Sequence, residues 1–110
     1  MVEYDSAPSA SPVIAAAGDI ACASDAATAT TCRQRFTSDL VVDQGLAAVL
    51  LLGDIQYENG ELANFNAYYD STWGRVKNIT YPTPGNHEYN TAGAAGYYGY
   101  FSGRTSAPGH

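Results

Sequence analysis

Basic residues are scarce in this sequence, which has five Lys and Arg against 11 Asp and Glu and a formal net charge of −6. Binding of nucleic acid or of an anionic membrane needs clustered positive charge, so the composition disfavours both kinds of partner. It also disfavours anionic phosphate substrates, unless bound cations reverse the local charge. With 45 % hydrophobic and 15 % charged residues, the 110-residue chain is typical of one globular domain with a small core.

Long apolar runs are missing as well. None approaches the roughly 18–20 residues that a membrane span requires. The first residues, MVEYDSAPSASP, have neither the basic start nor the apolar stretch of a signal peptide. We therefore predict that residues 1–11 form a flexible lead-in, and that any signal peptide which preceded them has been removed.

Cysteine is limited to Cys22 and Cys32, which are separated by the small, polar segment ASDAATATT. A short loop of this kind gains stability from a covalent link, so we predict a disulfide between them, with free thiols as the alternative. A zinc site is disfavoured because no second Cys or His pair lies nearby. A disulfide, together with few Lys and many small polar residues, predicts a secreted or periplasmic protein.

Three apolar runs predict strands, and each ends at or near a glycine. The first covers 12–20 and ends at Gly18, the second covers 47–54, and the third is a short strand within 78–86 whose prolines indicate termination or an edge position. Apolar residues at steps of three and four predict helices over 33–44 and 61–73.

The tail, residues 89–110, is rich in Gly and aromatic residues and has no clean period, which predicts a loop. Its aromatic side chains could wall a substrate pocket beside His87 or pack over the loop as a satellite core. They are Tyr89, Tyr97, Tyr98, Tyr100 and Phe101.

The predicted order strand, helix, strand, helix, strand indicates an α/β fold. Apolar strands that alternate with helices imply a parallel sheet covered on both faces, joined by right-handed crossovers. Ligands of such sheets gather at the carboxyl ends of the strands. The fold class is therefore a β-α-β-α-β layered fold with its site at the strand C-terminal ends.

Polar residues occupy the same position after each predicted strand, namely Asp19, Asp54 and Asn86. Taken singly, each is typical of a turn or a helix N-cap. Taken together, two carboxylates and an amide at one sheet edge predict a metal site, to which Tyr57 could add a phenolate and His87 an imidazole. Oxygen ligands with some imidazole suit iron, manganese or zinc.

Three segments carry a family resemblance: GDI at 18–20, GDIQY at 53–57 and GNHE at 85–88. They resemble the first three signature blocks of the calcineurin-like metallophosphoesterases. The Tyr three residues after Asp54 is similar to the purple acid phosphatase branch. The resemblance implies that residues 12–110 are the N-terminal half of that family's domain.

The resemblance also implies a ligand set. Asp19 binds a first metal, Asp54 bridges both metals, Tyr57 binds the first metal, and Asn86 binds the second. The implied cofactors are two metal ions, Fe(III) and a divalent Fe, Zn or Mn.

The remaining roles belong to the GNHE block. His87 is implied to contact the phosphate and protonate the leaving group, and Glu88 to orient His87. The implied reaction is hydrolysis of a phosphomonoester by a metal-bound hydroxide, in which Asp54 and His87 are the catalytic residues.

The sequence departs from the family pattern in two places. Asp19-Ile20-Ala21 stands where the family has Asp-x-Gly or Asp-x-His. The family also has three further histidines, whereas this chain has only His87 and His110. The alternatives are an inactive or weakly metal-binding fragment that needs its C-terminal half or self-associates through a sheet edge, and a phosphodiesterase or nucleotidase of the same superfamily.

Overall fold

The computed structural model describes residues 12–105 as a compact α/β domain around a three-stranded sheet. The strands are β1 (Ile14–Ala17), β2 (Ala48–Leu51) and β3 (Thr80–Tyr81), in the order β1-β2-β3. Both neighbouring pairs are parallel. This confirms the predicted α/β class and the parallel strands, while the lead-in predicted over 1–11 lies outside the described residues.

Helical segments connect and follow the strands, and several are a single turn long. They are α1 (Gln34–Asp39), α2 (Leu62–Asn64) with its π-helical continuation Phe65–Tyr69, 3-10 segments at Trp73–Ile79, Glu88–Asn90 and Ala92–Ala94, and α3 (Ala95–Tyr100). The connections in the predicted order are therefore helical, as expected.

Several of the predicted spans are wrong in extent or type. The helix predicted over 61–73 is an α-helix only at Leu62–Asn64, continues as a π-helix and ends at Tyr69. The third strand ends at Tyr81, because Pro82 and Pro84 lack the N–H that a continued ladder needs. Helix α1 ends at Asp39, well before the predicted residue 44. Within the tail, the loop prediction is wrong because six residues form α3.

The core lies on one side of the sheet, where Val49 and Leu51 are buried. Against them packs an aromatic cluster in which α3 meets the π-helical segment. Ring centroids of Phe65 and Tyr100 lie 5.1 Å apart, and those of Phe65 and Phe101 lie 5.8 Å apart. Most tail aromatics are therefore core residues; of the five, only Tyr89 is exposed.

The other side of the sheet is open within residues 12–105, so the expectation of two covered faces is wrong for this part of the chain. The exposed side chains there include Ile14, Ala16, Leu52 and Tyr81. The strand order explains this asymmetry. Both crossovers step in the same direction, and crossovers of one hand then place their helices on the same side.

The disulfide prediction is confirmed, since Cys22 and Cys32 are bonded with Cα atoms 5.0 Å apart. Two buried glutamines hold the same loop. The amide of Gln34 donates to the carbonyl of Ser24 at 2.8 Å, and that of Gln56 donates to the carbonyl of Cys22 at 2.9 Å. The disulfide between Cys22 and Cys32 is consistent with an extracellular location. No helix within 12–105 has the length and apolarity to cross a membrane.

Candidate metal centre

The first two motif segments run side by side beyond the ends of their strands. Backbone N–H groups of Asp19, Ile20 and Ala21 donate to the carbonyls of residues 53, 54 and 55 at 2.9–3.2 Å. Asp19 and Asp54 both adopt positive φ, at 54° and 53°. This ladder brings the two predicted carboxylates to the same edge of the sheet, as their positions in the sequence predict.

Tyr57 reaches across to the first motif, where its hydroxyl donates a hydrogen bond to Oδ1 of Asp19. Burial raises the pKa of Tyr57, and the hydrogen bond and negative charge of Asp19 raise it further. The phenol is therefore neutral in the absence of a cation. An oxygen of Tyr57 and an oxygen of Asp19, from separate segments, are thus in direct contact.

The third motif segment approaches Asp54. The backbone N–H of His87 donates to Oδ1 of Asp54 at 3.0 Å. Gly85 makes this approach possible, because a Cβ at that position would lie 2.2 Å from both the backbone N and Oδ1 of Asp54. Any larger residue at position 85 would separate the second and third motifs.

Glu88 fixes the spacing between these two segments from within the core. It is fully buried, and its Oε2 accepts hydrogen bonds from the backbone N–H groups of Ile55 at 2.8 Å and Gln56 at 3.1 Å. Its Oε1 accepts from the N–H of Gly85 at 2.7 Å. Both oxygens therefore bind backbone, and Glu88 acts on His87 through the loop that carries it.

The imidazole of His87 is held by a different group. Its Nδ1 lies 2.6 Å from the backbone carbonyl of Glu58, and its ring centroid lies 4.5 Å from that of Tyr57. The Glu58 carbonyl raises the pKa of His87, and the negative charges of Asp54, Glu58 and Glu88 raise it further, whereas desolvation opposes them. Sequence reasoning missed this carbonyl, because residue types do not show which backbone carbonyl will accept a hydrogen bond from a distant side chain.

Asn86 lies on the same segment, with an exposed side chain. The structure therefore places all five predicted ligand and acid residues on three adjoining segments. Within residues 12–105, however, no three His, Cys, Asp or Glu side chains form a metal-binding group. The donors that are present (two carboxylates, a phenol and an amide) suit hard cations but fall short of two complete ligand sets.

Gln56 is a supporting residue that the sequence analysis did not single out. It is fully buried, and besides the Cys22 carbonyl its side-chain N–H group donates to the carbonyl of Tyr57 at 3.0 Å. Its position between Asp54 and Tyr57 in GDIQY was the available signal. It links the disulfide loop to the segment that carries the candidate ligands.

Comparisons of this chain with protein-family models, curated proteins and solved structures found no match. The resemblance to metallophosphoesterases therefore rests on the three motifs.

Proposed function

We propose that this chain supplies the carboxylate, tyrosine and amide part of a two-metal phosphoric ester hydrolase of the purple acid phosphatase type, acting on phosphomonoesters. The convergence of Asp19, Asp54, Tyr57 and the Asn86–His87 segment at one sheet edge supports this function. If these residues served only as local turns, contacts between three segments so distant in sequence would not be expected.

The ligand roles are those that the resemblance implies, and the contact between Tyr57 and Asp19 supports the first of them. Asp19 and Tyr57 would hold the first ion, Asp54 would lie between the two, and Asn86 would hold the second, with Fe(III) and a divalent Fe, Zn or Mn as the proposed pair. When bound, the ions would supply Lewis acidity and neutralise negative charge on the attacking and leaving oxygens. They would also reverse the local negative charge that disfavours a phosphate ester.

His87 is the proposed general acid. With Nδ1–H donated to the Glu58 carbonyl, Nε2 is the nitrogen that can hand a proton to the departing ester oxygen. The raised pKa of His87 keeps more of the imidazole protonated in mildly acidic solution. Glu88 positions the His87 segment against Asp54 by binding the backbone of both.

A second candidate is a metal-binding fragment that becomes active only with a partner. The short ligand set and the open sheet face favour it. The missing imidazole ligands would then come from a C-terminal half of the domain, with self-association as the other possibility. Both candidates use the same residues and differ in whether the chain alone turns over a substrate.

The test is hydrolysis of phenyl phosphate by the chain with Fe(III) and Zn²⁺. Turnover that Asp54→Asn abolishes and Asp43→Asn preserves supports the first candidate, because Asp43 is an exposed carboxylate before the start of β2. Absence of turnover, with a visible tyrosinate-to-iron absorption band that Tyr57→Phe removes, supports the second. Absence of both turnover and the band overturns the proposed metal site.

A further inference from the structure

A cleft of about 390 Å³ opens beside the candidate metal centre. Asp19 and Tyr57 form one part of its lining, and the C-terminal end of the disulfide loop forms another, including Thr30, Thr31 and Arg33. Neither Asp54 nor the Asn86–His87 segment lines it. The cleft therefore adjoins the first-metal side and extends away from the residues that would hold the second metal.

Arg33 is the cation of this cleft. Its side chain makes no ion pair within the described part of the chain, whereas Arg35 and Arg75 both approach Asp39. One Arg33 nitrogen donates to the carbonyl of Thr28 at 2.8 Å, and the guanidinium lies 4.4 Å from the ring centroid of Phe36. It is thus oriented by a hydrogen bond and a cation–π contact while other N–H donors stay available.

The wall next to Arg33 is polar and locally ordered. The backbone N–H groups of Thr30 and Thr31 donate to the hydroxyl of Thr28 at 3.2 Å and 2.9 Å. Cys32 follows at once and is tied to Cys22, which also lines the cleft. Apart from Asp19, which the proposed metal would neutralise, no carboxylate among residues 12–105 lines the cleft.

We propose that this cleft selects phosphate esters whose organic part carries a second anionic group, a carboxylate or a phosphate, which binds Arg33. The inference rests on the proposed function, since the scissile phosphate must lie at the metal centre for the organic part to enter the cleft. A planar guanidinium binds carboxylate and phosphate oxygens through paired N–H groups, and such charge-assisted hydrogen bonds are the stronger ones.

The experiment compares non-hydrolysable probes on the full chain with Zn²⁺. 4-Carboxyphenylphosphonate carries the second anion, and 4-carbamoylphenylphosphonate is its neutral isostere. Affinities are measured from NMR shifts of the Arg33 side-chain N–H and the amides of Thr30 and Thr31. We expect the carboxylate probe to bind roughly fivefold more tightly, a modest ratio because Arg33 is partly exposed to solvent. Replacing the carboxylate by a second phosphonate shows which anion is preferred.

The variants assign the preference to one side chain. It should disappear in Arg33→Gln and partly return in Arg33→Lys, which keeps the charge without the planar fork. Arg35→Gln makes the same change of net charge at an arginine that does not line this cleft, and should keep the preference.

Equal affinities for the two probes, or a preference that survives Arg33→Gln, would overturn the anion site alone. No binding of any probe would overturn the anion site together with the phosphate site at the metal centre, because every probe carries the phosphonate. Because the binding experiment measures no turnover, its outcome is separate from that of phenyl phosphate hydrolysis. A preference without hydrolysis counts against the phosphatase proposal alone, and hydrolysis without a preference counts against the cleft alone.

Discussion

At the scale of single residues, Glu88 shows how a buried charge can organise a site without touching a ligand. Its two oxygens accept three backbone hydrogen bonds. Two come from Ile55 and Gln56, more than 30 positions earlier in the sequence, and one comes from Gly85, three positions earlier. A buried carboxylate is costly unless it is hydrogen-bonded, and here two of the donors, the N–H groups of Ile55 and Gln56, would otherwise be buried without partners. Glu88 therefore stabilises the fold and spaces the motifs with the same contacts.

Glu88→Gln should destabilise the protein by about 3 kcal/mol. The substituted amide turns an N–H₂ group toward backbone N–H donors, and each buried donor left without an acceptor costs about 1–3 kcal/mol. Urea unfolding measures the change. Glu61→Gln makes the same chemical change on an exposed side chain and should stay within about 0.5 kcal/mol of wild type. Similar midpoints for the two variants would contradict the assigned role of Glu88.

His87 should titrate above its ordinary pKa of 6.5 in the metal-free protein. The Glu58 carbonyl and the nearby carboxylates favour the protonated ring more than desolvation disfavours it. The contribution of this protonation to stability is then fully present below pH 6.5 and is lost as pH rises through the folded-state pKa.

NMR titration of the His87 ring protons measures this pKa in the folded chain and in concentrated urea. Asp54→Asn should lower the folded value by removing one nearby charge, while leaving it above the unfolded value because the Glu58 carbonyl remains. A folded value at or below the unfolded one would show that desolvation dominates.

At the scale of elements, the sequence predicted the parallel strands β1 and β2 better than it predicted the extent of the helices. Runs such as AAVLLLGD combine an apolar core with a glycine stop, so β2 and the residues that follow it were predictable. The break after Asp39 was not, because the apolar spacing of Phe36 and Leu40 suggests a buried face, yet both side chains are exposed. The spacing of apolar residues does not show whether a neighbouring element covers them.

Helix α3 was missed for a related reason. Glycines in AGYYGY lower helix propensity, and the segment shows no single apolar stripe. Tertiary packing decides its conformation, since Tyr100 and the adjoining Phe101 are buried against Phe65 and Tyr69 of the π-helical segment. The meeting of Asp19 and Asp54 at one sheet edge could be predicted because both follow strands, whereas Glu58 and Gln56 act through contacts that need the folded chain.

Two glycines of α3 allow the effect of packing on stability to be distinguished from the effect of helix propensity. A Cβ at Gly96 would lie 2.1 Å from the carbonyl oxygen of Gly60 and 2.6 Å from the N of Leu62, both backbone atoms. A Cβ at Gly99 would meet only Leu62 side-chain carbons, at 3.8 Å. Gly96→Ala should therefore destabilise the protein by about 2 kcal/mol or more, and Gly99→Ala should leave stability unchanged or raise it by up to about 1 kcal/mol.

Urea unfolding of the two alanine variants tests the docking of α3 on the loop that begins at Gly60. Both changes have the same intrinsic effect on helix formation, so their difference reports the packing contact. Equal stabilities would mean that α3 does not lie against this loop in solution.

At the scale of the whole molecule, the part of the chain that the structure describes leaves one sheet face covered and the other open. Leu51 and Leu52 are neighbours in sequence and lie on opposite sides, with exposed fractions of 1 % and 67 %. Leu51→Ala should cost about 2–5 kcal/mol in stability because it leaves a cavity in the core. Leu52→Ala should cost much less, because its side chain is already largely in water.

The same asymmetry predicts association behaviour. Contiguous apolar surface such as Leu52 and Tyr81 favours self-association or the binding of a further segment. Leu52→Lys should therefore reduce concentration-dependent association, measured by sedimentation velocity, while keeping the unfolding midpoint close to that of wild type. Ala29→Lys, which adds the same charge at an exposed position of the disulfide loop, should leave association largely unchanged. If Leu51→Ala and Leu52→Ala proved equally destabilising, or if the two lysine variants associated alike, the open face would have to be covered in solution by another part of the molecule.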